Sequence, residues 1–342
     1  MSVSIPRISP DLQPAKALVR SLYADMAGAD AAGMAEVLSR YMSADCHWYG
    51  MHPFHEQTGP SAIAQTFWQP FLSAFSSVQR REDIFFAGLN EIDGFQGQWT
   101  CSMGHLMGLF DAAFLGIPPT RKIAMLRYAE FHKVRDGQIV ESALFVDLIH
   151  LMLQAGLNPL RTEQTGAHLI QPGPLTHDGL QFTAGDPEAS EITLARINNM
   201  IGSIDEANAS ADPLHPRDEL AIDWNADMLW WGPAGIGATY TIDRYIEQHQ
   251  GPFRTHISDR AFNGHLCRMA EGNYGGFFGW PNLTLTNSGT FMGFPASDVR
   301  ADMRVVDIYR RDGDRLAENW IFIDILHFLK MQGHDVLAEI GA

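Results

Sequence analysis

Apolar residues near the start of the chain recur three or four positions apart: Leu18 and Leu22, then Met34, Val37, Leu38 and Tyr41. That spacing predicts helices over 14–27 and 33–41, and the same texture returns over 191–208 and 216–224. A short strand is expected at 46–50. After it comes a helix opened by Thr58-Gly-Pro-Ser, matched later by Thr241-Ile-Asp. From there the period changes to two, predicting strands over 83–87, 98–109, 122–134 and 138–149. Asp136-Gly137 and Asp312-Gly313 each separate two alternating runs and mark tight hairpins. Helices followed by a meander of strands predict an α+β fold, with the helices covering one face of a curved antiparallel sheet.

The pattern occurs twice. Phe114-Leu-Gly-Ile-Pro118 aligns with Phe291-Met-Gly-Phe-Pro295, and Glu141 to His150 aligns with Glu318 to His327, both at an offset of 177. Trp48-Tyr49-Gly50 aligns with Trp230-Trp231-Gly232 at an offset of 182, so about five residues were lost between these motifs. The chain therefore divides into a first domain over 1–157, a linker over 158–190 rich in Pro, Gly, Thr and His, and a second domain over 191–342. At 342 residues each copy is long enough to enclose its own core.

Strand alternation predicts which side chains share a face. Pairing counted back from the Asp136-Gly137 turn sets Glu130 opposite Ala143 and His132 opposite Glu141. Tyr128, Glu130, His132, Glu141, Ala143, Phe145 and Asp147 then face one way. The same count around Asp312-Gly313 groups Asp307 and Tyr309 with Glu318, Trp320, Phe322 and Asp324. A one-residue slip would undo both groupings. Asp147 and Asp324 are acids inside apolar runs. Buried in a pocket, such a carboxyl would be desolvated and suited to proton transfer near neutral pH; solvated or capping a helix, it would be structural.

Composition narrows the partners. With 24 Lys+Arg against 40 Asp+Glu the formal charge is −16, which disfavours nucleic acid and anionic membrane surfaces. No apolar stretch is long enough to span a bilayer, and the opening residues lack the apolar core of a signal peptide. Cys46, Cys101 and Cys267 match neither a disulfide framework nor a zinc motif, and a cytoplasmic location is expected.

Trp99-Thr-Cys-Ser-Met-Gly-His105, the run from Phe114 to Lys122, Asp136-Gly-Gln-Ile-Val-Glu141 and Asp147 resemble the SnoaL-like polyketide cyclases, as does the run from Glu318 to Asp324. That family has the fold of nuclear transport factor 2 (NTF2). The resemblance covers most of both copies and implies two tandem cone-shaped domains, each enclosing an apolar pocket. It also implies an acid/base Asp near the end of each copy, at Asp147 and Asp324, that drives an intramolecular aldol ring closure without a cofactor. Glu130 and His132 would face the ligand in the first copy, and Asp307 and Tyr309 in the second. Where the family carries a Trp four residues before the Asp, Trp320 keeps it and Ala143 does not. Arg121 stands where the family has Gly, and the second copy lacks the Thr and Lys of the Pro-Pro-Thr run.

Further pocket candidates are Trp48, Trp99, His105, Tyr128, Phe145, Trp231, Trp280, Trp320 and Phe322, although large aromatics also fill ordinary cores. Arg254 and Arg268 are candidate carboxylate binders, against the simpler reading of structural ion pairs. His47, His52, His55 and Glu56 fit no standard metal-ligand spacing, so no metal is expected. The expected partner is a small hydrophobic carbonyl compound. A non-catalytic small-molecule binder and an interaction module are the rivals. An internal pseudo-dimer of the two copies, and a further homodimer, are expected by analogy with the fold.

Overall fold

The computed structural model describes residues 11–160, 171–209 and 214–340. Residues 1–10, part of the opening stretch weighed as a signal peptide, and 161–170 of the linker lie outside that set.

In the first half, α1 (Gln13–Ala27) and α2 (Met34–Tyr41) lead into β1 (Met42–Gly50) and the short β2 (His55–Thr58). A helical run follows, made of α3 (Pro60–Ile63), a π-turn (Ala64–Trp68) and α4 (Gln69–Ala74). Then come β3 (Phe75–Leu89), β4 (Gln98–Phe110), β5 (Ile123–Arg135), β6 (Gln138–Val146) and α5 (Leu148–Gln154). The second half repeats this order. It opens with α6 (Pro187–Ala209), α7 (Pro216–Asp223), β7 (Trp224–Trp231) and β8 (Ala238–Tyr240). The middle is α8 (Ile242–Tyr245), a π-turn (Ile246–Gln250), α9 (Gly251–His256), β9 (Ile257–Phe262) and β10 (Cys267–Glu271). It closes with β11 (Tyr274–Asn287), β12 (Arg300–Asp312), β13 (Arg315–Ile323), α10 (Ile325–Met331) and α11 (Val336–Ile340).

Each half builds one sheet. The first runs β2-β1-β6-β5-β4-β3 and the second β8-β7-β13-β12-β11-β10, with β9 also on β11. The pairs β1/β6 and β7/β13 are parallel and the other neighbours antiparallel. Even the π-turn recurs in the same place, before a Pro in each half (Gln69-Pro70 and Gly251-Pro252). Duplication is thus written in the topology as well as the motifs.

The turns form where the dipeptides predict. Asp136 and Gly137 adopt φ of 52° and 75°, and Gly313 adopts 61°, the left-handed region that Gly and Asp enter at low cost. One expected strand end moves: β6 stops at Val146, not 149, because the Asp147 side chain accepts the His150 N–H and starts α5.

Contacts group residues 11–159, 171–184 and 324–340 into one unit, and 185–209 with 214–323 into the other. The tail that was expected to close the second domain thus belongs with the first. Within the first unit the linker is laid against the domain: Lys16 is 1% exposed and donates to the carbonyls of Gln181 (2.7 Å) and Thr183 (2.8 Å). No described helix is long and apolar enough to cross a membrane.

Candidate active site

Register decides what faces each interior. Beside the turn the pairs are Arg135↔Gln138 and Val134↔Ile139, as counted from sequence. A bulge between Lys133 and Val134 then shifts the ladder by one, giving His132↔Ser142 and Glu130↔Leu144. The second hairpin carries the same bulge between Arg310 and Arg311, giving Tyr309↔Asn319 and Asp307↔Ile321. Residues opposite one another share a face. The inner face therefore carries Glu130, His132, Ser142 and Leu144 in one unit, and Asp307, Tyr309, Asn319 and Ile321 in the other. Glu141, Ala143, Phe145, Glu318, Trp320 and Phe322, expected beside the inner acids, lie on the opposite face.

In the first unit the inner face is closed by charge. Arg80 Nη1 donates to Glu130 Oε2 at 2.8 Å, and its guanidinium lies 3.8 Å from the centre of the Tyr23 ring and 4.6 Å from that of Tyr128. His132 sits 3.1 Å from Tyr23 Oη and 2.9 Å from Ser142 Oγ. Ser102 Oγ lies 2.8 Å from Tyr128 Oη and donates to Glu82 at 3.1 Å. Burial alone would raise the Glu130 carboxyl, but Arg80 and then His132 outweigh it and hold the group down at about 2. Glu130 is consequently a permanent anion bonded to its own protein.

The second unit encloses a cavity of about 330 Å³. Its walls include Trp224, Trp230, Phe277, Met303 and Ile321. Among these apolar groups sits Asp307, whose Oδ1 accepts from Asn319 Nδ2 at 3.0 Å. Burial raises its carboxyl to about 7, against the hydrogen bonds from Asn319 and Tyr309 that favour the anion. The Tyr309 and Tyr245 phenols are raised by burial and then by the Asp307 charge, so both remain protonated donors at neutral pH. His249 stacks on Trp230 (4.3 Å between centroids, 19°), and burial lowers it to about 4. His265 stacks on Phe277 (3.9 Å, 13°), and burial, then Arg268, lowers it to about 3. Both imidazoles are neutral at pH 7. An acid poised near neutrality between two phenols in an apolar chamber can take and return a proton.

Residues 17–155 match the family model of the SnoaL-like polyketide cyclases. The first half of the chain is a SnoaL-like domain. No curated protein matches the chain. Among solved structures, a SnoaL-like protein from Jannaschia sp. CCS1 is 18% identical, covering 43% of this chain and 94% of its own, with a TM-score of 0.35. An NTF2-like protein from Burkholderia xenovorans LB400 is 10% identical over 42% of this chain and 97% of its own, with a TM-score of 0.33. TsrD from Streptomyces laurentii is 17% identical over 41% and 96%, at 0.32. The chain is α+β, with two sheets of the same strand order built in tandem.

Within the SnoaL-like domain Asp147 is a helix cap. Its Oδ1 accepts the His150 N–H at 2.9 Å, and its Oδ2 lies 4.0 Å from the buried Arg127 guanidinium. Asp324 repeats the cap, accepting the His327 N–H at 3.2 Å, while its other oxygen accepts the His52 N–H at 2.9 Å. Neither shares the inner face with Glu130 or Asp307, so the grouping expected from sequence is corrected for both. Trp48 and Tyr128 do belong to the inner face of the SnoaL-like domain. Trp48 pairs with Ser142, and Tyr128 alternates with Glu130. Trp99 and His105 alternate with the inner residues Thr100 and Ser102 and face outward; His105 lies 3.4 Å from Asp83. In the second unit Trp231 pairs with Trp320 on the outer face, and Trp280 lies against Arg304. Arg254, weighed for ligand binding, is held in a two-pronged ion pair by Glu219 at 2.7 and 3.0 Å. Sequence reasoning missed Tyr245, His249 and Asn319. An offset of 182 pairs His249 with Phe67 in the first π-turn, a polar-for-apolar change that marks the position. Among the described residues no His, Cys, Asp or Glu cluster is arranged to hold a metal ion.

Proposed function

We propose that the second unit is a cofactor-free acid/base catalyst, of the cyclase or isomerase type, acting on a hydrophobic carbonyl compound. The observation that carries this reading is Asp307, a carboxyl raised to about 7 inside an apolar cavity beside two protonated phenols. As the anion, Asp307 removes a proton from the carbon next to a carbonyl. Tyr309 or Tyr245 donates a hydrogen bond to the enolate oxygen that forms. In a ring closure the enolate carbon attacks a second carbonyl of the same molecule, and the resulting alkoxide recovers the proton from Asp307. The cavity supplies the folded geometry, the larger part of the rate for an intramolecular step. The buried thiols of Cys46, Cys101 and Cys267 suit the reducing cytoplasm.

The test is solvent deuterium uptake at the carbon next to the carbonyl of 2-tetralone. The protein accelerates uptake over buffer, and Asp307→Asn lowers the rate by about 10²–10⁴-fold with the fold intact. Equal uptake in Asp307→Asn and the parent protein overturns the reading. The Arg80–Glu130 pair favours a different role for the SnoaL-like domain, a non-catalytic partner, since its inner acid is already bound at about 2.

A further inference from the structure

The cavity of the second unit is lined by two guanidinium groups with different surroundings. Arg254 is neutralised by Glu219 at 2.7 and 3.0 Å. Arg260, on β9 at the exposed side of the cavity, has no carboxylate or other acceptor among the described residues. This is notable in a chain with 40 acids, where Arg196, Arg217, Arg244 and Arg310 of the same unit are each paired with one. Arg260 is exposed on its outer side, and partial desolvation and then the nearby Arg254 charge lower it. A second polar group without a partner lines the same cavity. Gln250 is 8% exposed, and its Oε1 is buried with no donor among the described residues. A buried acceptor left unmade costs about 1–3 kcal/mol, so a bound molecule that supplies a donor would relieve it. Asp205 also lines the cavity, but lies beyond ion-pair distance of Arg260.

We infer that this cavity takes a carboxylate-bearing ring compound, with the carboxylate on Arg260 and a hydroxyl of the same molecule donating to Gln250. The word substrate for that ligand rests on the acid/base reading above; its binding does not. The remaining walls, Trp224, Trp230, Phe277 and Ile321, select a flat apolar body between these polar ends.

The probes are 6-hydroxy-2-naphthoate and its uncharged analogue 6-hydroxy-2-naphthamide, titrated by calorimetry at pH 7 and low ionic strength. The naphthoate should bind about tenfold more tightly than the amide. Arg260→Gln should bring the two to near parity while leaving the amide unchanged, and Arg260→Lys should recover part of the difference. Parity in the parent protein, an unchanged ratio in Arg260→Gln, or no binding of either probe overturns the inference. Repeating the titration in Asp307→Asn separates the two readings. The naphthoate preference persists there if Arg260 sets it, whatever becomes of deuterium uptake.

Discussion

Glu130 and Asp307 stand 177 residues apart at the same point of two duplicated sheets, and their chemistries are opposed. Glu130 has a guanidinium at 2.8 Å and is held at about 2; Asp307 has an amide at 3.0 Å and is raised to about 7. Burial is similar, 3% exposed against 8%, so desolvation alone does not separate them. What separates them is one cation. Arg80 reaches Glu130 from β3, sandwiched by Tyr23 and Tyr128, and among the described residues no arginine is paired with Asp307. The same position on the same strand thus yields a permanent anion or a carboxyl poised near neutrality, according to what a neighbouring strand delivers.

The largest effect should come from removing that cation. Arg80→Met leaves Glu130 buried without its guanidinium, with His132 at 3.6 Å, and should cost about 3–5 kcal/mol of stability, read from urea unfolding at pH 7. A loss under 1 kcal/mol would mean that the pair does not hold the first interior together. The two acids should also give opposite pH dependences. Glu130, depressed below its ordinary 4.5, contributes stability that is complete above that value and lost as pH falls towards 2. Asp307, raised above its ordinary 3.8, does the reverse. Folded chains hold its proton up to about 7 while unfolded chains release it, so stability falls as pH rises between the two values, by up to about 4 kcal/mol. Asp307→Asn should flatten that slope and gain stability at pH 8, measured by denaturation across pH. The rate of deuterium uptake should climb around the upper end of that interval, with its midpoint near 7, because only the anion accepts a proton. The smallest effect is expected at the cap. Asp324→Asn keeps one acceptor for the His327 N–H and should cost about 1 kcal/mol with uptake unchanged.

Much of this was legible in the sequence. The repeated motifs gave the duplication, the period of two gave the meander, and the Asp-Gly dipeptides gave both hairpins. Alternation grouped Glu130 with His132 and Asp307 with Tyr309, and the family resemblance implied that those groups face a ligand. The partner strands came out reversed because a turn fixes only the pairs beside it, and nothing in the residues around Val134 or Arg311 announces an extra position. Asp147 and Asp324 misled for a related reason. An acid in an apolar run reads equally as a pocket base or as the cap of a helix whose own face is apolar. Arg80 escaped notice because the fully charged run 80–83, two arginines and then two acids, looks like an exposed edge until a helix lays Tyr23 across it.

The grouping of residues 324–340 with the first unit bears on how the duplicated gene can be taken apart. A cut anywhere in 158–190 strands that closing segment on the wrong fragment, away from the backbone N–H of His52 that Asp324 satisfies. The first fragment then lacks α10 and α11, while the second carries them as surplus. The two halves match in motif and topology, but in the folded chain the earlier one is completed by a segment that follows the later one. Deletion of α10 and α11 should therefore be felt first in the unit built from the earlier half.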